Sequence, residues 1–186
     1  MFAYTFEKEN CPFSGQFLYP DILTALEYAR GPVYQKYLIG QEYRIVKDAK
    51  ISADNAEIVS QGDATEVMQQ FARRCAYRTL VTISGSEFAK RIPGISHWLN
   101  NGKITQGNWE YIRDWAVENE MTWMAGGHAE GAVCRAVLAY HDSELAYYHG
   151  WASGYHAKAL FGKRIEIPRQ KKSLTQYINK AILEYE

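Results

Sequence analysis

Apolar and polar positions change their period once along the chain, near Gln61-Gly62-Asp63. Before that point the runs are short and alternate or are rich in β-branched residues. Residues 1–6 (MFAYTF) alternate and predict a first strand. Val33–Ile39, Tyr43–Val46 and Glu57–Ser60 are dense in β-branched residues and tyrosine, punctuated by Gly40, Asp48 and Asp54-Asn55. Together these runs predict a small antiparallel sheet. Asn10-Cys11-Pro12 to Gly15 is turn material, and Pro20-Asp21 opens a short helix through Tyr28 that Gly31-Pro32 closes.

After Asp63 the period is helical. Val67, Phe71, Cys75 and Leu80, with Ala64, Met68 and Ala72, form the apolar face of a helix for which Asp63 is an N-cap. Ser86–Ile92 and Gly94–Leu99 read as short helical pieces broken by Pro93, and Asn100–Gly102 as a loop. Thr105 caps a helix carrying Trp109, Ile112, Trp115 and Ala116. Arg164–Pro168 alternates and predicts a late strand. Ser173-x-x-Gln176 has the form of a capping box, opening a final amphipathic helix with Leu174, Tyr177, Ile178, Ala181, Ile182 and Tyr185 inward.

The stretch from Met121 to Phe161 has its own texture. Ala125, Ala129, Ala132, Ala136 and Ala139 are spaced 4-3-4-3, and after His141-Asp142-Ser143 the spacing returns in Ala146, Gly150, Ser153, Ala157 and Leu160. Small side chains on a stripe of this period let two helices approach closely. A helix pair joined at Asp142 is expected, with that carboxylate capping the second helix. The expected fold is α+β: a small antiparallel sheet in a β-rich segment over 1–62, and a larger helical body over 63–186 that contains the small-residue-seamed pair at about 121–161. Length suits one compact unit.

Composition narrows the function classes. With 47% hydrophobic residues in 186 the chain is globular, and 21 basic against 21 acidic residues argue against an unstructured nucleic-acid arm and a strongly acidic DNA mimic, while leaving room for a local basic patch. There is no run of about 18 apolar residues and no signal-peptide pattern, so a cytoplasmic protein without a membrane span is expected. Cys11, Cys75 and Cys134 are odd in number and form no C-x-x-C, which predicts reduced thiols, with Cys75 and Cys134 as small core side chains.

Residues 63–76 read Asp-Ala-Thr-Glu-Val-Met-Gln-Gln-Phe-Ala-Arg-Arg-Cys-Ala. This resembles a junction in uncharacterised phage and bacterial proteins, where a small β segment is followed by a D-A-x-x-V-x-x-x-F-A-R-x-C-A helix and then by alanine-rich helices. The resemblance implies the same order of parts and a phage or mobile-element accessory protein. It covers 14 residues, carries no function or functional residues with it, and stops short of the His, Trp and Gly content of residues 97–156.

Several groups are candidates for chemistry. His128-Ala129-Glu130 matches half of the zinc deaminase signature, but the P-C-x-x-C half is absent and the nearest cysteines, Cys75 and Cys134, are 59 positions apart. If the helix pair is antiparallel about Asp142, His128 approaches His156, with Glu130 near Ser153. Two histidines and a carboxylate suit zinc or another divalent metal; the plainer alternative is histidines hydrogen-bonded to neighbours such as Tyr140, Tyr147, Tyr148 or Tyr155. Asp114, Glu118 and Glu120 lie beside Trp115 and Trp123, but residues two apart do not share a helix face, so a solvated surface is expected there. All five tryptophans fall within residues 98–151, and Trp98, Trp109 and Trp151 are the candidate contact residues. Lys163, Arg164, Arg169, Lys171 and Lys172, with Arg73, Arg74 and Arg78, are a candidate phosphate-binding patch, otherwise a solvated edge. No P-loop, G-x-G-x-x-G or G-x-S-x-G is present.

The leading expectation is a non-enzymatic, cofactor-free binding protein of phage or mobile-element origin, docking on a host protein or protein–nucleic-acid complex as a counter-defence inhibitor would. The first alternative is a small metal- or histidine-dependent enzyme using His128, Glu130 and His156. The second is a binder of a small phosphorylated ligand between the sheet and the basic cluster.

Overall fold

The computed structural model describes residues 1–8, 17–46, 50–53, 55–82, 90–92, 94–119 and 127–183. The turn around Cys11, Asp48, Asp54, residues 86–89, Pro93, Glu120, Met121, Trp123, Ala125 and Tyr185, all singled out above, lie outside the described residues. The fold is α+β, with a small N-terminal sheet and a larger helical part.

Strands β1 (Phe2–Glu7), β2 (Val33–Ile39) and β5 (Ala56–Asp63) form an antiparallel sheet in the order β1-β2-β5. Phe2 pairs with Leu38 and Glu7 with Val33, while Val33 also pairs with Asp63, and the β2–β5 register shifts between Lys36 and Tyr37. The expected single sheet is in fact two. β3 (Tyr43–Val46) pairs only with β4 (Lys50–Ala53), a strand the sequence pattern did not reveal, in a separate hairpin. Helix α1 (Ile22–Glu27) is capped by Asp21, whose Oδ1 accepts from the backbone N–H groups of Leu23 at 3.0 Å and Thr24 at 3.2 Å.

Helix α2 (Thr65–Thr82) runs through the helical part, and Asp63 Oδ1 accepts from the Thr65 N–H at 2.7 Å at its start. One face of α2 (Ala72, Ala76, Leu80) packs with α3 (Ile95–Asn101), α4 (Gln106–Glu118) and α5 (His128–His141) in a core that includes Trp98, Ile112 and Val137. Its other face (Val67, Met68, Phe71, Cys75) meets Phe6 and Tyr34 of the sheet, α1, α6 (Ala146–Phe161) and α7 (Lys163–Leu183). Sheet and helices therefore share a buried cluster, which a helix with two apolar faces makes possible. Asn100 and Asn101 belong to α3 rather than to a loop. The helix ends at Gly102, whose φ of 75° is the left-handed cap that glycine adopts at little cost.

The largest departure from the sequence pattern is α7. Arg164–Pro168 is helical, not a strand, and Ser173 lies within one continuous helix rather than at a cap. The reason is visible in burial. Glu166, Gln170, Leu174 and Ile178, each four residues on, are all buried, while Ile165 is 52% exposed. Two polar residues begin the buried stripe, so a reading of apolar positions alone assigns the wrong period. Pro168 removes one helical N–H donor, a loss borne on the exposed side of the helix.

Candidate functional site

α5 and α6 pack antiparallel, as the order of their contacts shows: His128 meets His156, Ala132 meets Ser153, and Arg135 meets His149. Ala132, Ala136, Ala139, Ala146, Gly150, Ser153 and Ala157 are all buried along the seam, whereas Leu160 is 38% exposed and leaves it. Asp142, at the junction, accepts from the Leu145 N–H at 3.2 Å. In the middle of the seam the Ser153 hydroxyl lies 3.0 Å from the carbonyls of both Ala72 and Ala132, tying α6 to α2 and α5.

The helical glycines accommodate specific neighbours. A Cβ on Gly150 would stand 3.3 Å from the Met68 carbonyl, and one on Gly154 3.3 Å from both Gln170 and Phe71. A Cβ on Gly131 would lie 2.8, 2.9 and 3.0 Å from three atoms of the His156 imidazole, so that ring rests on bare backbone. Gly131→Ala should gain roughly 1 kcal/mol of helix propensity and lose about 2 kcal/mol to overpacking. The expected net effect is a destabilisation of about 1 kcal/mol in urea denaturation; a stabilised variant would mean the ring is not confined.

At the open end of the seam His128 Nδ1 and His156 Nδ1 are 3.2 Å apart, so one ring donates to the other. His128 is exposed and His156 is buried. Burial, followed by the nearby His128 and Arg135, lowers the His156 pKa to about 4, which keeps its imidazole neutral at pH 7. Glu130 does not join them: it faces Arg91 at 3.7 Å. Among the described residues no third His, Cys, Asp or Glu completes a metal-binding group. The two histidines can therefore exchange a proton and hold each other in place, but the described residues add no third ligand.

The aromatic residues divide into two groups. Trp98 is 2% exposed and packs in the core against Trp109 and Tyr140, with ring centroids 5.5 and 5.3 Å away. It is therefore not a contact residue, and partly buried Trp109 belongs to the same cluster. Trp151 is different. It stands between Tyr148 and Tyr155 on α6, partly buried against the core shared with the sheet, with centroid separations of 6.2 and 5.9 Å. Tyr148 and Tyr155 are 42% and 48% exposed. Arg135, itself buried, lies 5.5 Å from the Tyr148 ring centroid. The spacing of 148, 151 and 155 is legible as one helix face, but only the fold shows that its two tyrosines are exposed.

The expected basic patch is not assembled as a unit. Arg73 donates to the Trp98 carbonyl at 3.3 Å, Arg74 lies over Tyr77, and Arg78 pairs with buried Glu166. Lys171 pairs with Asp21. Arg164 and Arg169 remain exposed on α7. A cavity of about 180 Å³ opens between β5, the start of α2 and α7, lined among others by Tyr34, Asp63, Val67 and Ile178, and no Lys or Arg lines it. Asp114 pairs with its neighbour Arg113 in solvent. Cys75 and Cys134 are buried, and burial pushes the Cys75 thiol up to about 12, far from a reactive thiolate.

Sequence reasoning missed the buried polar group of Arg78, Glu166 and Gln170. Gln170 Nε2 donates to the Gly154 carbonyl at 2.8 Å and to Glu166 Oε1 at 3.3 Å. No family model, curated protein or solved structure matches this chain. No helix among the described residues is long and apolar enough to cross a membrane.

Proposed function

We propose that this chain is a non-enzymatic binding protein that docks on a host macromolecule through the outer face of α6. The observation that carries the reading is the row Tyr148–Trp151–Tyr155, in which two exposed tyrosines flank a partly buried tryptophan. Tyr and Trp present large, rigid contact area at low entropic cost and are enriched where binding energy is concentrated. Here three of them share one face of a helix whose opposite face is held by a close-packed seam. The resemblance of residues 63–76 to phage and bacterial proteins supports a mobile-element source, and with it a role as a counter-defence inhibitor.

The test is capture from a lysate of the host cell, comparing wild type with Tyr148→Ala/Tyr155→Ala. Both tyrosines are half-exposed, so thermal melting of the double variant should match wild type. A partner enriched by wild type and lost from the variant is the expected result. Equal capture by both proteins, or none by either, removes the reading.

A further inference from the structure

We infer that the outward face of α7 is a binding surface for the phosphate backbone of duplex DNA, separate from the aromatic row of α6. Charge in this neutral protein is segregated. From residue 145 to 186 the sequence holds seven bases, Lys158, Lys163, Arg164, Arg169, Lys171, Lys172 and Lys180, against three acids, Glu166, Glu184 and Glu186. Glu166 is fully buried on Arg78 and Lys171 is held by Asp21. Arg164, Arg169, Lys172 and Lys180 are exposed, and none is ion-paired with an acid among the described residues. Helical spacing puts these four on the solvent side, opposite the stripe of Glu166, Gln170, Leu174 and Ile178.

The helix dipole accounts for Lys180 in the last turn, but not for the rest of this arrangement. Arg169 and Lys172 are three apart on one face, where like charges repel. Lys163 and Arg164 occupy the first turn, where the helix dipole favours acids. A bound polyanion would relieve both. The described cavity beside α7 is lined by Ile178 and Ala181 and by no Lys or Arg among the described residues, which disfavours a small phosphorylated ligand there. Among its described side chains one large apolar residue, Ile165, is exposed, too few to seat in a lipid interface. Nor does it carry an aromatic ring on which unpaired bases would stack. From Arg164 to Lys180 the row is about 24 Å long at 1.5 Å per residue, enough to cross a major groove about 12 Å wide and reach phosphates on both walls.

The test is fluorescence anisotropy of a labelled 20-base-pair duplex of arbitrary sequence, titrated with full-length protein at 50 to 200 mM salt. Four phosphate contacts predict that log K falls against log salt with a slope of about −3.6. Arg169→Glu/Lys172→Glu reverses charge at two exposed positions and should keep the wild-type circular dichroism. It should weaken binding at 50 mM salt by at least about tenfold and bring the slope to about −2 or shallower. Three outcomes overturn the inference: wild type that does not bind at 50 mM salt, a double variant that binds like wild type, or wild type that binds phosphatidylserine vesicles more tightly than the duplex.

Discussion

Arg78→Met will lower the free energy of unfolding by about 3–5 kcal/mol, the cost typical of removing one partner from a buried ion pair. The Glu166 side chain is fully buried and Arg78 is 14% exposed. Taking away the guanidinium leaves a carboxylate inside the α2–α6–α7 contact that accepts from the Gln170 amide 3.3 Å away. The converse change, Glu166→Leu, should cost less. Arg78 is already partly exposed, and its long side chain can carry its charge toward water. The double variant Arg78→Met/Glu166→Leu should recover to within about 1 kcal/mol of wild type, because apolar pairs often replace buried ion pairs without loss. Urea denaturation of the two single variants and the double variant reads all three values. A loss below about 1 kcal/mol in Arg78→Met would show that the pair does not hold α7 against α2.

Acid will weaken the fold through His156. Its folded-state pKa is lowered from 6.5 to about 4, first by burial and then by His128 and Arg135. As pH falls below 6.5 the unfolded chain binds a proton that the folded protein resists until about pH 4. The stability that neutral His156 contributes is thus intact above the unfolded pKa and is lost between these limits. Its full extent is on the order of 3 kcal/mol. Glu7 acts in the opposite sense: burial raises its pKa, so acid relieves the cost of burying its charge. The comparison of wild type with His156→Gln cancels Glu7, since both proteins carry it. The stability difference between them should shrink as pH falls from 7 to 4; parallel pH–stability curves would show that His156 does not titrate in this way.

How far the sequence reached differs between elements. Strand β1, helices α1 and α2 and the α5–α6 pair follow from residues whose local preference and burial agree. Asp21 and Asp63 bond the backbone where a cap chemistry predicts, and the 4-3-4-3 spacing of small residues lies buried in the seam. The approach of His128 to His156 followed from the same periodicity, because an antiparallel pair with a known junction sets the level of every residue. Where local preference and burial disagree, the reading failed. Ile165 and Ile167 alternate with charged residues like a half-buried strand, yet it is Glu166 that is buried, since Arg78 on a distant helix receives it. Trp98 and Trp151 are the same residue type in the same dense region, yet one is fully core and the other is half-buried between two exposed tyrosines.

By itself the sequence determined the α+β order of parts, the place where strands give way to helices, and the close approach of α5 and α6. These depend on period and side-chain size, which are local properties. The tertiary structure alone decided the split of the strands into two sheets, the burial of Glu166 and Gln170 and the confinement of His156 over Gly131. It alone left Tyr148 and Tyr155 exposed beside half-buried Trp151. Each depends on which distant group supplies a partner, excludes water or leaves a face uncovered, and no spacing along the chain encodes that.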